Sequence, residues 1–74
     1  MPKYRYYLVK DTYVVRWEGD KTPEFVRPDG TWHPYRDEWD VMTNGRYSGE
    51  DDEKAMEIAQ ELFDEAEEDG FEYP

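Results

Sequence analysis

The chain has 74 residues, a formal net charge of −11 and no cysteine. That length supports one core, near the lower size at which a domain holds together without staples, and the missing thiols exclude a disulfide framework, a cysteine nucleophile and cysteine-ligated zinc. The charge argues against direct binding to nucleic acid phosphates or an anionic membrane, since both would repel it, and points to basic partners.

Seven Tyr, three Trp and three Phe supply large buried area per residue and offset the scarcity of Leu and Ile, so a folded chain is expected despite the charge. "KYRYYLV" at 3–9 and "TYVVRWE" at 12–18 are rich in aromatic and β-branched residues and predict a hairpin around Lys10 and Asp11. Alternation places Tyr4, Tyr6 and Leu8 opposite Arg5 and Tyr7, and Tyr13, Val15 and Trp17 opposite Val14 and Arg16, with the buried face left open. "EGDKTP" at 18–23 is a polar connection, and "EFVR" predicts a third strand. "PDG" at 28–30 predicts a turn: Pro28 presets φ, Asp29 bonds the backbone and Gly30 takes a left-handed conformation, returning the chain at Thr31 and Trp32. The even spacing of Tyr35, Trp39 and Val41 predicts a strand near 38–43, and Asn44-Gly45 a hairpin that folds Arg46 and Tyr47 back against it.

Ser48 is expected to open the last element, a helix to Gly70, with Asp51 as its capping-box partner. Ala55, Ile58, Ala59, Leu62 and Ala66 form one apolar stripe, flanked by Met56 and Phe63, and Gly70 fits a left-handed cap with Phe71 folding toward Ala66. The expected fold is α+β: an antiparallel sheet of about four strands over 1–47, with one amphipathic C-terminal helix over 48–70 packed across a face, in a single domain of residues 1–74.

Charge is unevenly placed. Residues 1–37 carry seven basic and six acidic side chains; residues 38–74 carry two basic and fourteen acidic. Acids at Glu50, Asp51, Asp52 and Glu53 favour the positive end of the helix dipole. Glu65, Glu67, Glu68 and Asp69 crowd the negative end, and like charges fall four apart at Glu53/Glu57, Glu57/Glu61, Glu61/Glu65 and Asp64/Glu68. At roughly 0.2–0.5 kcal/mol each, these four pairs cost on the order of 1–2 kcal/mol, softened by salt and by Lys54 beside Glu50 and Glu57. A local rule broken without structural gain is the mark of a functional surface. Glu50, Glu53, Glu57, Glu61, Asp64 and Glu68, joined by Glu38 and Asp40, are therefore the candidate partner-binding residues.

In size, charge and acidic helix the chain resembles the small inhibitors that phages encode against bacterial defence, the anti-CRISPR and anti-restriction proteins, several of which mimic nucleic acid. The resemblance implies a non-enzymatic inhibitor whose partner is a basic nucleic-acid-handling protein such as a CRISPR effector subunit, and it identifies no residue motif. The second reading is a small structural or oligomerising domain whose acidic face gives only solubility; a homodimer stays open in both.

No catalytic, cofactor or metal residues are expected. His33, the only histidine, lacks a recognisable nucleophile or phosphate loop and is read as a turn residue. Asp37, Glu38 and Asp40 with Asp51 and Asp52 do not follow a calcium-loop pattern. The nine rings of Tyr4, Tyr6, Tyr7, Tyr13, Trp17, Trp32, Tyr35, Trp39 and Tyr47 exceed what one sheet face and one helix readily bury; an enlarged tyrosine core is expected, against the alternative of interface anchors beside Arg5, Arg16 or Arg27. No secretory leader or membrane span is recognised, and a cytoplasmic protein is expected.

Overall fold

A computed structural model describes residues 3–74. Strands β1 (Arg5–Val9), β2 (Tyr13–Trp17), β3 (Glu24–Val26) and β4 (Trp32–Pro34) form an antiparallel meander; helix α1 (Glu38–Asn44) follows, then strand β5 (Gly45–Gly49) and helix α2 (Asp52–Asp69). The five-stranded sheet has the order β4-β3-β2-β1-β5, so the chain leaves at one edge and returns beside its first strand.

Turn chemistry builds the meander as expected. Lys10 and Asp11 both take positive φ, 55° and 51°, and Thr12 N–H closes on Val9 O at 3.0 Å, which is the primed turn that matches strand twist. At the next tip Gly30 has φ +85°, Asp29 Oδ1 accepts from Thr31 N–H at 3.0 Å, and Arg27 N–H donates to Thr31 O at 2.9 Å.

The segment 38–43 is a helix and not a strand. Asp37 caps it, its carboxylate accepting Asp40 N–H at 3.0 Å, and Glu38 and Asp40 favour the dipole of the first turn. An even spacing over seven residues suits either period, and the Asp cap decides between them. Asn44-Gly45 consequently makes no hairpin: Gly45 has φ −79° and passes the chain from α1 into β5, which pairs with β1 through Tyr7–Tyr47, Leu8–Arg46 and Val9–Gly45. The register shifts between Tyr6 and Tyr7, where Tyr6 faces Gly49. Ser48 therefore belongs to β5, its hydroxyl donating to Tyr6 O at 3.2 Å, and the last helix starts four residues later with Asp51 as N-cap.

Alternation along the strands splits the core into two layers. Tyr6, Val14 and Val26 face α2 and are buried with Ala55 and Ala59, while Ile58, Leu62 and Phe63 pack around them. Val9, Val15 and Phe25 point the other way and are buried with Val41 of α1, ringed by Tyr7, Tyr13, Trp17 and Tyr35. The second layer takes up much of the surplus of aromatics, because both faces of the sheet are covered, while Trp39 and Tyr47 stay exposed. α2 ends as expected: Gly70 is left-handed at φ 72°, and Phe71 N–H donates to Ala66 O at 2.8 Å in a Schellman closure. Phe71 and Tyr73 then turn across the sheet end, both rings meeting Tyr13, and Tyr73 Oη–H donates to Thr12 O at 2.8 Å.

Candidate acidic interaction face

The apolar stripe of α2 fixes which side chains point outward. With Ala55 and Ala59 against the sheet, Glu53, Glu57, Glu61, Asp64 and Glu68 are all exposed at three- and four-residue spacing. At 1.5 Å per residue the row from Glu53 to Glu68 extends about 22 Å. Among the described residues no ion pair involves a carboxylate of α2, and no basic residue occupies its last turn. Gln60 donates to Asp64 Oδ1 at 3.1 Å, the one side-chain bond recorded for the row.

Arg27 borders a hollow with Gln60, Asp64 and Glu67 without an ion pair to them, and Arg16 is engaged elsewhere. Arg16 Nε donates to Glu24 Oε1 at 2.9 Å, and its guanidinium lies 4.4 Å from the Tyr4 ring centre and 4.1 Å from that of Trp32. Glu50 precedes the helix and pairs with Lys3 at 3.5 Å, not with Lys54 as the spacing suggests. Asp52 is also structural, accepting the buried Tyr6 hydroxyl at 2.6 Å; burial first, and this bond second, push the phenol well above its ordinary range.

Two expected members of the face lie elsewhere. Glu38 and Asp40 belong to α1, on the opposite side of the sheet, so neither adjoins the α2 row. Asp40 is buried and committed internally: its carboxylate accepts the Tyr35 hydroxyl, Asn44 Nδ2–H at 2.6 Å and Lys10 Nζ at 3.3 Å. The Tyr35 and Asn44 bonds, with help from Lys10, hold this carboxyl below the usual carboxylate range. Its folded value thus lies under its unfolded one near ~4, and its contribution to stability is present above that pH and lost as pH falls through the folded value. Acidification meanwhile reduces the repulsion of a −11 chain. The thermal midpoint is therefore expected to rise from neutrality toward pH ~4–5 and to fall below it. In Asp40→Asn the acid limb should be shallower; an identical limb in both proteins would show that this carboxylate is not linked to the fold.

Of the five carboxylates cited for cation binding, Asp37 and Asp51 cap helices, Asp52 holds Tyr6 and Asp40 holds Tyr35, Asn44 and Lys10, and among the described residues no group of three or more His, Cys, Asp or Glu is arranged to hold a metal ion. His33 sits in β4 and not in a turn, with Nε2 2.7 Å from Thr31 Oγ1. That hydroxyl donates its one proton to Asp29 at 2.6 Å, so the imidazole acts here as the donor. The chain matches no family model, no curated protein and no solved structure. Among the described residues no helix is long and apolar enough to cross a membrane.

A second kind of surface, raised from the sequence only as the alternative of aromatic interface anchors and without Met42, is also present. Trp39 is 71% exposed, Met42 67% and Tyr47 58%, all on the α1 side of the sheet. The three-residue spacing of Trp39 and Met42 was a signal for a shared helix face, readable only after the Asp37 cap is recognised.

Proposed function

We propose that this chain is a non-enzymatic binding protein that lays the acidic face of α2 into a basic nucleic-acid-binding site of a partner protein, as an inhibitor of the anti-CRISPR kind. The observation that carries the proposal is the unneutralised row Glu53, Glu57, Glu61, Asp64 and Glu68, held on a rigid helix without a recorded cation partner at a cost in stability. A fixed line of carboxylates offers Lys and Arg the same electrostatic reward as a phosphate backbone, and steers encounter with a basic cleft. Glu50, partly satisfied by Lys3, lies just before the row and contributes at its N-terminal end. A CRISPR effector subunit is the partner class that this reading favours.

The test is capture of proteins from a bacterial lysate on the immobilised chain at low and at high salt, beside a variant carrying Glu57→Gln, Glu61→Gln and Asp64→Asn. Capture of a nucleic-acid-binding protein by the wild type, lost at high salt and in the variant, is the expected result. Equal capture by both chains, or capture indifferent to salt, would remove the acidic face from recognition.

A further inference from the structure

We propose that the hollow between the β3–β4 hairpin and the approach to α1 binds a small aromatic monocarboxylate, its ring against Tyr13 and Tyr35 and its carboxylate on Arg27 and Arg36. The inference goes beyond the basic-partner reading, because the rings of this hollow belong to the core layer on the side of the sheet away from α2.

The hollow is about 510 Å³, within the range that small-molecule sites occupy. Its aromatic wall is built from four rings fixed against one another. Tyr13 lies 5.5 Å from both Phe25 and Tyr35, centre to centre, and Phe25 lies 6.0 Å from both Tyr35 and His33. Tyr35 is tied at both ends, its N–H donating to Pro23 O at 2.8 Å and its hydroxyl to Asp40, while His33 is held by Thr31. A planar ring therefore meets a surface that needs no ordering on binding.

Charge selects the other half of the ligand. The chain has twenty acidic side chains for nine basic ones, and Lys3, Lys10, Arg16, Lys21 and Arg46 each take a carboxylate. Among the described residues neither Arg27 nor Arg36 does so, although both border this hollow. Arg27 Nε is buried with no acceptor, and Asp64 and Glu67, which border Arg27 in the neighbouring hollow, make no ion pair with it. An arginine placed only for the fold would be expected to take one of so many carboxylates. Asp37 also borders the site, but its Oδ1 accepts Asp40 N–H as the cap of α1, so two guanidinium groups face one carboxylate already in use. The planar guanidinium fork matches a carboxylate in bidentate geometry. The net charge of −11 penalises each further negative charge on a ligand, which favours one carboxylate over a doubly charged phosphate.

Titration of the ¹⁵N-labelled chain with 2-naphthoate, followed by amide NMR, tests this beside 2-naphthamide, acetate and adenosine monophosphate. The expected result is saturable binding of naphthoate with a Kd on the order of 1 mM or tighter, with shifts centred on His33, Tyr35 and Arg36. The neutral amide, the ringless acetate and the nucleotide should each bind about tenfold more weakly or worse. Arg36→Gln, at an exposed position, should weaken naphthoate about tenfold with the rest of the spectrum unchanged, and Arg27→Gln should do the same. No saturable shift with naphthoate overturns the proposal, as do equal affinity for the amide, indifference to Arg36→Gln, or shifts centred on Phe63 and Glu67. Tighter binding of the nucleotide overturns the monocarboxylate assignment. Failure of lysate capture with this binding intact would count against the inhibitor reading alone.

Discussion

Gly45→Ala is expected to destabilise the fold by about 3 kcal/mol, at the upper end of what one added methyl costs in a packed site. The reason is space and not dihedral freedom: Gly45 has φ −79° and ψ 137°, which any residue adopts. Its N–H closes α1 on Val41 O, and a β-carbon there would press on that same carbonyl, inside the 3.0 Å approach that real side chains respect and 3.1 Å from the carbonyl carbon. The obstacle is backbone, and Val41 is buried against Val9, Val15 and Phe25, so neither side yields without opening the core layer beneath α1. For a domain of this length, whose whole stability is about 4–11 kcal/mol, the loss is a large fraction. Urea denaturation followed by circular dichroism measures it. A change below about 1 kcal/mol would mean that the α1–β5 junction slides freely, and the edge geometry derived from it would have to be redrawn.

Neutralising Glu57, Glu61 and Asp64 is expected to move binding and stability in opposite directions. Each carboxylate lost from a close charge pair removes about 1 kcal/mol or more of coupling to a basic partner, so the three together weaken the complex about 100-fold or more and flatten its salt dependence. The same change breaks all four like-charge pairs along α2 and should raise stability in low salt by about 1–2 kcal/mol, fading as salt is added. The Asp64→Asn change retains a side-chain oxygen to accept from Gln60, so the one recorded side-chain bond of the row is kept. Titration calorimetry against the captured partner and thermal melts at two salt concentrations read the two effects. A destabilised variant would mean that the row serves the fold, and the premise of a functional cost would fall.

The meander, the Asp-Gly turn, the apolar stripe of α2 and its glycine cap were legible because each rests on contacts within a few residues. What escaped rests on contacts across the chain. Whether Trp39 and Val41 alternate across a strand or wind on a helix depends on Asp37 reaching Asp40 N–H and on Val41 finding Val9 beneath it. Asn-Gly is a strong local hairpin signal, yet here burial of Val41 and pairing with β1 outweigh it. Asp40 shows the same limit for the candidate site: a carboxylate in an acidic stretch reads as solvated, and only Tyr35, Asn44 and Lys10 closing around it reveal a structural role. The outward row on α2 was readable, since helical periodicity alone sets which residues oppose the stripe.

The return of β5 to the side of β1 also orders events in time. Strands β1 to β4 can zip together by neighbouring turns as they emerge, but β1 keeps a bare edge until Gly49 reaches Tyr6 and Ser48 reaches its carbonyl, 42 residues along the chain. Closing a loop of that length costs more entropy than any turn in the meander. During synthesis the nascent sheet thus carries an aromatic strand with one edge unpaired until Gly49 has been made, and α1 must form and dock before that edge is shielded. The crossover that completes the sheet is the step at which this small chain is most open to misassembly.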